Sequence, residues 1–146
     1  MVINHRALVI ALTMLVAGCR ALGDTGESSF GDECVSEETI YGCVDITGRV
    51  STPGGAPLEN IDIGPAPGSD SHGLKAEFVA TGADGEYELR LFQLDGTAPA
   101  QFNLSLKATQ RDNAGAEVKS KVMTTQVQVY QVNDFPEPVT LNFVIQ

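Results

Sequence analysis

A histidine, an aspartate and serines in one short segment are the first candidates for chemistry. His72 lies in the segment Gly68–Gly73, which also contains Asp70 and Ser71. Nucleophilic catalysis requires a base beside the nucleophile and a third group that orients the base. Residues this close in sequence cannot easily fold onto one another in that arrangement. The pattern therefore favours a polar loop, and we expect no catalytic residue in it.

Two carboxylates on one predicted strand are the second candidates. Glu86 and Glu88 alternate with apolar residues, so both side chains lie on one face, where a carboxylate pair could serve acid–base catalysis. Alternating glutamates are more typical of the solvated face of a strand. We expect no catalytic residue and no cofactor, and therefore a protein that is not an enzyme.

The N-terminal segment has the composition of a secretory leader. Residues 1–18 contain no acidic residue and one fixed positive charge, Arg6, which the apolar run Ala7–Ala17 follows directly. That run is shorter than the roughly 20 apolar residues that span a bilayer. Its position at the extreme N-terminus is typical of a signal peptide. Residues 1–18 are therefore predicted to be a cleaved signal peptide.

The predicted leader ends in the residues Leu15-Val16-Ala17-Gly18-Cys19. This segment resembles the lipobox of bacterial lipoproteins, in which leucine and small residues precede the cleaved bond and cysteine follows it. The resemblance implies that Cys19 becomes the first mature residue and is diacylated with chains such as palmitate. Two acyl chains hold a protein stably on a bilayer. Arg20, rather than aspartate, follows the cysteine, which resembles the sorting pattern of outer-membrane lipoproteins in the cell envelope.

Two further cysteines, Cys34 and Cys43, follow the predicted lipidation site. An even pair in an exported chain suggests a disulfide, because such chains fold in an oxidising compartment. A zinc site would need two more ligands, and after the leader the chain offers only His72 as an imidazole. We therefore expect no metal and favour a Cys34–Cys43 disulfide over two free thiols.

The charge balance excludes some partners. The chain has 146 residues and a formal net charge of −10, from 19 acidic and 9 basic residues. Binding to nucleic acid requires clustered lysine and arginine, so we expect no nucleic-acid partner. Residues 19–43 are rich in Gly, Ser, Asp and Glu without a sustained apolar period, which predicts a lipidated acidic tether.

From Cys43 onward, apolar and polar residues alternate with a period of two, as expected of strands with one buried and one wet face. Turn residues such as Asp84 and Gly85 separate the runs. About seven strands in one domain, residues 44–146, predict an all-β, antiparallel Greek-key sandwich. The predicted strand segments are Val44–Val50, Ile61–Ile63, Leu74–Ala80, Tyr87–Leu91, Phe102–Ala108, Val127–Val129 and Leu141–Ile145.

Three of these segments carry a family resemblance. They are Gly48–Val50, Gly55–Ile63 and Thr81–Leu89. They resemble the carboxypeptidase regulatory-like domain, which has a transthyretin-like (prealbumin-like) sandwich. The resemblance covers roughly Val44–Leu91 and implies a fold rather than an activity, because the chain lacks the histidine set and terminal motif of the enzymes with this fold. The short segment Ile40–Cys43 also resembles small lipoproteins associated with radical enzymes, although cysteine stands where proline is expected.

These features predict a lipid-anchored, non-enzymatic module of the cell envelope that presents a surface to a protein or polymer. The alternative is a glycan-binding accessory lipoprotein of a polysaccharide uptake system. Sugar sites normally use exposed aromatic rings. The chain has no Trp, and Tyr87 is predicted to lie in the core, so Tyr130 is the candidate for such a ring.

Overall fold

A computed structural model describes residue 34 and residues 41–75, 78–94 and 96–146. The predicted signal peptide (1–18), Cys19 and the acidic stretch before Cys34 lie outside the described residues. The described part of the chain is all β. None of its residues belongs to a helix that is long and apolar enough to cross a membrane.

Two sheets face each other across one core. The first sheet has the order β10-β1-β5-β3, with β8 and β9 also paired to β1, and the second has the order β4-β2-β6-β7. In chain order the strands are β1 (Gly42–Ser51), β2 (Ile61–Pro65), β3 (Leu74–Lys75), β4 (Val79–Ala80), β5 (Glu86–Gln93), β6 (Gln101–Arg111), β7 (Glu117–Gln128), β8 (Tyr130–Gln131), β9 (Val139–Thr140) and β10 (Phe143–Val144).

The prediction of an all-β sandwich is confirmed. The inward side chains of β6 are those that the alternation predicts, and Leu104 is completely buried among them. The core residues from both sheets are Val44, Ile46, Val50, Ile61, Ile63, Leu74, Tyr87, Leu89, Leu91, Phe102, Leu104, Leu106, Ala108, Val127, Val129, Leu141, Phe143 and Ile145. Their packing supplies most of the apolar burial that stabilises a domain of this size.

The first sheet is mixed, whereas the sequence predicts antiparallel pairing throughout. β5 runs antiparallel along one edge of β1. On the other edge β8 is antiparallel, but β9 and β10 run parallel to β1. Side chains alternate with the same period in parallel and antiparallel strands, so the sequence pattern carries no information on strand direction.

The described strands number ten where the pattern predicts about seven. The predicted strand Leu74–Ala80 is divided, because β3 pairs with β5 in the first sheet and β4 pairs with β2 in the second. The first part of β7 was not predicted as a strand, since nearly all its side chains are exposed and its sequence lacks apolar alternation. Strands exposed in this way give no hydrophobic signal.

The C-terminal segment closes tightly onto β1. The Tyr87 hydroxyl donates a hydrogen bond of 2.6 Å to the carbonyl oxygen of Leu141. Burial raises the pKa of Tyr87 above its ordinary value, which keeps the hydroxyl protonated as a donor. A Cβ atom at Gly48 would overlap the same Leu141 carbonyl. Glycine at this position therefore allows the two backbones to approach.

Candidate functional site

The chain enters the sandwich through a disulfide clip, which we define as Cys34, Cys43 and the residues Asn133 and Asp134 of the β8–β9 connection. Cys34 is bonded to Cys43, which confirms the favoured disulfide. The Cys34 N–H donates to Asp134 O at 2.9 Å, and the Asn133 N–H donates to Cys34 O at 3.0 Å. Both cysteines are completely buried. The bridge is therefore built into the first sheet and does not lie loosely in the preceding segment.

The position of Cys43 explains why the clip is buried. β1 begins at Gly42, so Cys43 is already a strand residue and faces Tyr130 of β8. Asn133 adopts a left-handed backbone with φ of 71°, a conformation that asparagine tolerates better than most residues. That turn brings Asn133 and Asp134 beside Cys34. The last two residues of the expected tether, 19–43, thus belong to the sheet.

A buried ion pair lies on the same face of β1 as Cys43. Asp45 and Arg90 are direct cross-strand partners, with Arg90 Nε 2.6 Å from Oδ1 and Nη2 2.7 Å from Oδ2 of Asp45. The Asp45 side chain is 0% exposed and that of Arg90 8% exposed. A charge removed from water in this way requires a partner with good geometry. The alternation of apolar and polar residues places Asp45 on the outer face of β1, which is expected to be solvated. Sequence reasoning therefore missed its burial.

The opposite end of this outer face is polar and open. A shallow cleft of about 580 Å³ is lined there by Arg49, Glu86, Glu88 and Asn142, among others. Glu86 and Glu88 are exposed, as expected of the solvated face of a strand. The Arg49 backbone N–H donates to Asn142 Oδ1 at 2.9 Å, and its Nε donates to Asp84 O at 3.1 Å. These bonds hold Arg49 in the lining of the cleft.

His72 lies in a turn before β3 and has a left-handed backbone, with φ of 49°. Its Nδ1 is 3.5 Å from Asp70 Oδ2, and its ring packs edge-on against Phe102 at 4.5 Å between centroids. These contacts anchor a polar turn on the core edge, in line with the loop that the sequence favours. In the described ranges, no three or more His, Cys, Asp or Glu side chains are grouped so as to hold a metal ion.

An exposed aromatic ring, Phe78, lies on the second sheet. Its side chain is 67% exposed, yet its ring lies so close to Gly64 of β2 that a Cβ atom there would overlap it. Lys107, which pairs with Gly64 across β2 and β6, also lines a groove of about 500 Å³. Sequence reasoning missed Phe78, because an aromatic residue in a predicted strand is usually interpreted as a core residue. Tyr130, the predicted candidate, is half-buried.

Charged groups on the outer face of the second sheet are held in pairs. Lys107 Nζ is 2.6 Å from Glu117 Oε2, and Arg111 Nε is 2.7 Å from Asp62 Oδ2. The Lys107 hydrogen bond, helped by one from Ser120, lowers the pKa of Glu117. Ser105 and Thr124 share a hydrogen bond of 2.7 Å between their hydroxyls on the same face. The outer face of the second sheet thus combines hydroxyl, ammonium and carboxylate groups beside one aromatic ring.

Comparison of the chain with family models, with curated proteins and with solved structures found no match.

Proposed function

We propose that the protein is a lipid-anchored, non-enzymatic module of the cell envelope, held at the outer membrane through Cys19, that presents a surface to a protein or polymer. The observation that carries the proposal is the segment Leu15–Cys19 at the end of an apolar leader. The buried Cys34–Cys43 disulfide supports it. Disulfides form and persist in oxidising compartments such as the bacterial periplasm.

The geometry also supports the presentation of a surface. The clip lies at the start of β1, where the chain enters the sandwich. The turn before β5 lies at the other end of β1, because Val50 N–H donates to Gly85 O. The β6–β7 turn is at that end as well. Thr81, which precedes the turn before β5, donates its N–H to Ile61 O, and Ile61 pairs with Gln110 near the end of β6. An anchor at Cys19 would leave these turns pointing away from the point of attachment.

The test of the proposal is the Cys19→Ala variant of the full chain. We expect this variant to lose incorporation of a fatty-acid probe and to leave the membrane fraction, because the leader is too short to span a bilayer and no acyl chain replaces it. The matched control is the Cys34→Ser/Cys43→Ser double variant, which removes the other cysteines and should still be labelled. Retention of the Cys19→Ala protein in membranes after a high-salt wash would refute the anchor.

Phe78 favours glycan binding as the second candidate function. An exposed ring packed against a glycine can contact the apolar side of a sugar, and hydroxyl and charged groups beside it can bond the sugar hydroxyls. Phe78→Ala should weaken binding to a polysaccharide by about tenfold. This loss corresponds to the upper end of the range of about 0.5–1.5 kcal/mol that an aromatic contact contributes.

The control for Phe78→Ala is Phe135→Ala, which removes another exposed aromatic side chain in the β8–β9 connection. Binding can be measured by retardation in gels that contain defined polysaccharides. If no polysaccharide retards the wild-type protein, or if both variants lose binding equally, the glycan-binding function is ruled out for this surface.

A further inference from the structure

The second sheet ends in an open edge. β7 is the longest of the described strands, and it pairs with β6 in a regular ladder from Lys119 to Gln128, with a bulge at Val118. Among the residues that the structure describes, no strand pairs with the other edge of β7. An open edge exposes a row of backbone N–H and C=O groups that can pair with another strand.

The hydrogen-bond pattern identifies the residues whose backbone groups point outward. Val129 N–H donates to Ala100 O, at the start of the β6–β7 ladder. Bonding pairs alternate along an antiparallel ladder, so Val127, Met123 and Lys121 also bond to β6. The backbone groups of Ser120, Val122, Thr124 and Gln126 must therefore point away from the sheet. The bond from Ala66 N–H to Ser105 O agrees, because Ser105, the partner of Thr124, faces β2.

The chemistry of this edge favours pairing. Natural edge strands are usually protected by charged residues, proline or bulges. From Val122 to Gln128 the edge has no charged residue, no glycine and no proline. Val122, whose backbone groups point outward, also has an exposed side chain. The charged residues of β7, Glu117, Lys119 and Lys121, and the bulge at Val118 all lie before this stretch, so the protective features are confined to the first half of the strand.

We propose that β7 pairs with β7 of a second copy of this chain, antiparallel and with the two-fold axis at Val122. Closed two-fold symmetry is the commonest arrangement of identical subunits, and it requires an antiparallel pair. Val122 then faces Val122 of the second copy, a β-branched cross-strand pair of the kind that stabilises sheets. Ser120 faces Thr124 on either side of the axis. The regular part of the two strands exchanges roughly six backbone hydrogen bonds.

Charge favours this partner, and the side-chain pairs favour this register over two neighbouring ones. The chain carries a net charge of −10, but β7 has two lysines and one glutamate, so this edge lacks the acidic excess that opposes the approach of a second copy. With the axis at Val122, Lys121 faces Met123 and Lys119 faces Thr125. An axis at Ser120 would place Lys119 opposite Lys121, which is unfavourable. An axis at Thr124 would place Val122 opposite Gln126 and bring no two valines together.

Cysteine cross-linking tests the proposal on the full chain in membranes. Val122→Cys should give a band of twice the chain mass with a short thiol cross-linker, because the two Cα atoms lie roughly 5.5 Å apart across the axis. Lys119→Cys is the matched control, since it is equally accessible on β7 but its two copies lie roughly 20 Å apart along the strands. A cross-link with Lys119→Cys and none with Val122→Cys would overturn the proposed pairing.

A proline variant tests the backbone pairing directly. Val122→Pro removes an N–H that points outward and no bond to β6, so the fold should persist while the pairing is lost. Light scattering of the detergent-solubilised full chain should give the protein mass of a dimer for the wild type and of a monomer for Val122→Pro. A monomeric wild type at every concentration would overturn the proposal. So would a Val122→Cys cross-link only to a protein of different mass.

Discussion

Replacing Arg90 with methionine is expected to lower the free energy of unfolding by about 3–5 kcal/mol. The substitution keeps much of the apolar length of the side chain but leaves the Asp45 carboxylate without its bidentate partner. Asp45 is completely buried, so water cannot replace the lost hydrogen bonds. The measurement is urea denaturation followed by circular dichroism, with wild type and variant compared at the same pH.

The matched control is Arg111→Met, which removes the same kind of side chain from another cross-strand ion pair. Arg111 and Asp62 have side chains 48% and 34% exposed, so water screens this pair and the cost should stay within about 1 kcal/mol. The Asp45→Leu/Arg90→Met double variant should recover part of the loss, because it leaves no buried charge unpaired. Equal losses for Arg90→Met and Arg111→Met would contradict the burial of Asp45.

The second large effect is expected at Leu104, where Leu104→Ala should destabilise the protein by about 2–5 kcal/mol. Leu104 is completely buried on the inward face of β6, so its truncation removes apolar contacts and leaves a cavity in the core. Thermal and urea unfolding of the variant measure the loss. The size of the effect depends on how far the surrounding side chains can close the cavity.

Ser105→Ala is the neighbouring control on the opposite face of the same strand. Its hydroxyl shares a hydrogen bond with Thr124 at an exposed position, where water can replace the lost partner. The cost should therefore remain within about 0.5 kcal/mol. Comparable losses at Leu104 and Ser105 would show that the two faces of β6 are assigned wrongly.

The sequence predicted side-chain faces well where burial alone determines the pattern. Leu104 and Leu106 are buried, and Glu86 and Glu88 are exposed, as the period of two requires. Asp45 departs from the pattern, since period two says which face a residue occupies but not whether that face meets water. The disulfide was predictable because cysteine pairing depends on residue type and compartment as well as on geometry.

The candidate surfaces were harder to predict. β7 contributes few side chains to the core. Its sequence therefore lacks the alternation of apolar and polar residues that would reveal its pairing with β6. Phe78 belongs to a residue type that is usually buried, and only its position over Gly64 distinguishes it from a core residue. Both features depend on contacts between strands that are distant in sequence, which no local pattern encodes.

The pairing of β1 with β9 and β10 has a consequence for the order in which the molecule folds. Residues joined across this edge, such as Arg49 and Asn142, are 93 positions apart in the sequence. A ribosome makes the N-terminal partner first, so one edge of β1 stays without its neighbour until nearly all of these residues have been added. Pairings over such distances slow folding. A nascent chain would thus remain without its closed sandwich until these last strands have been made.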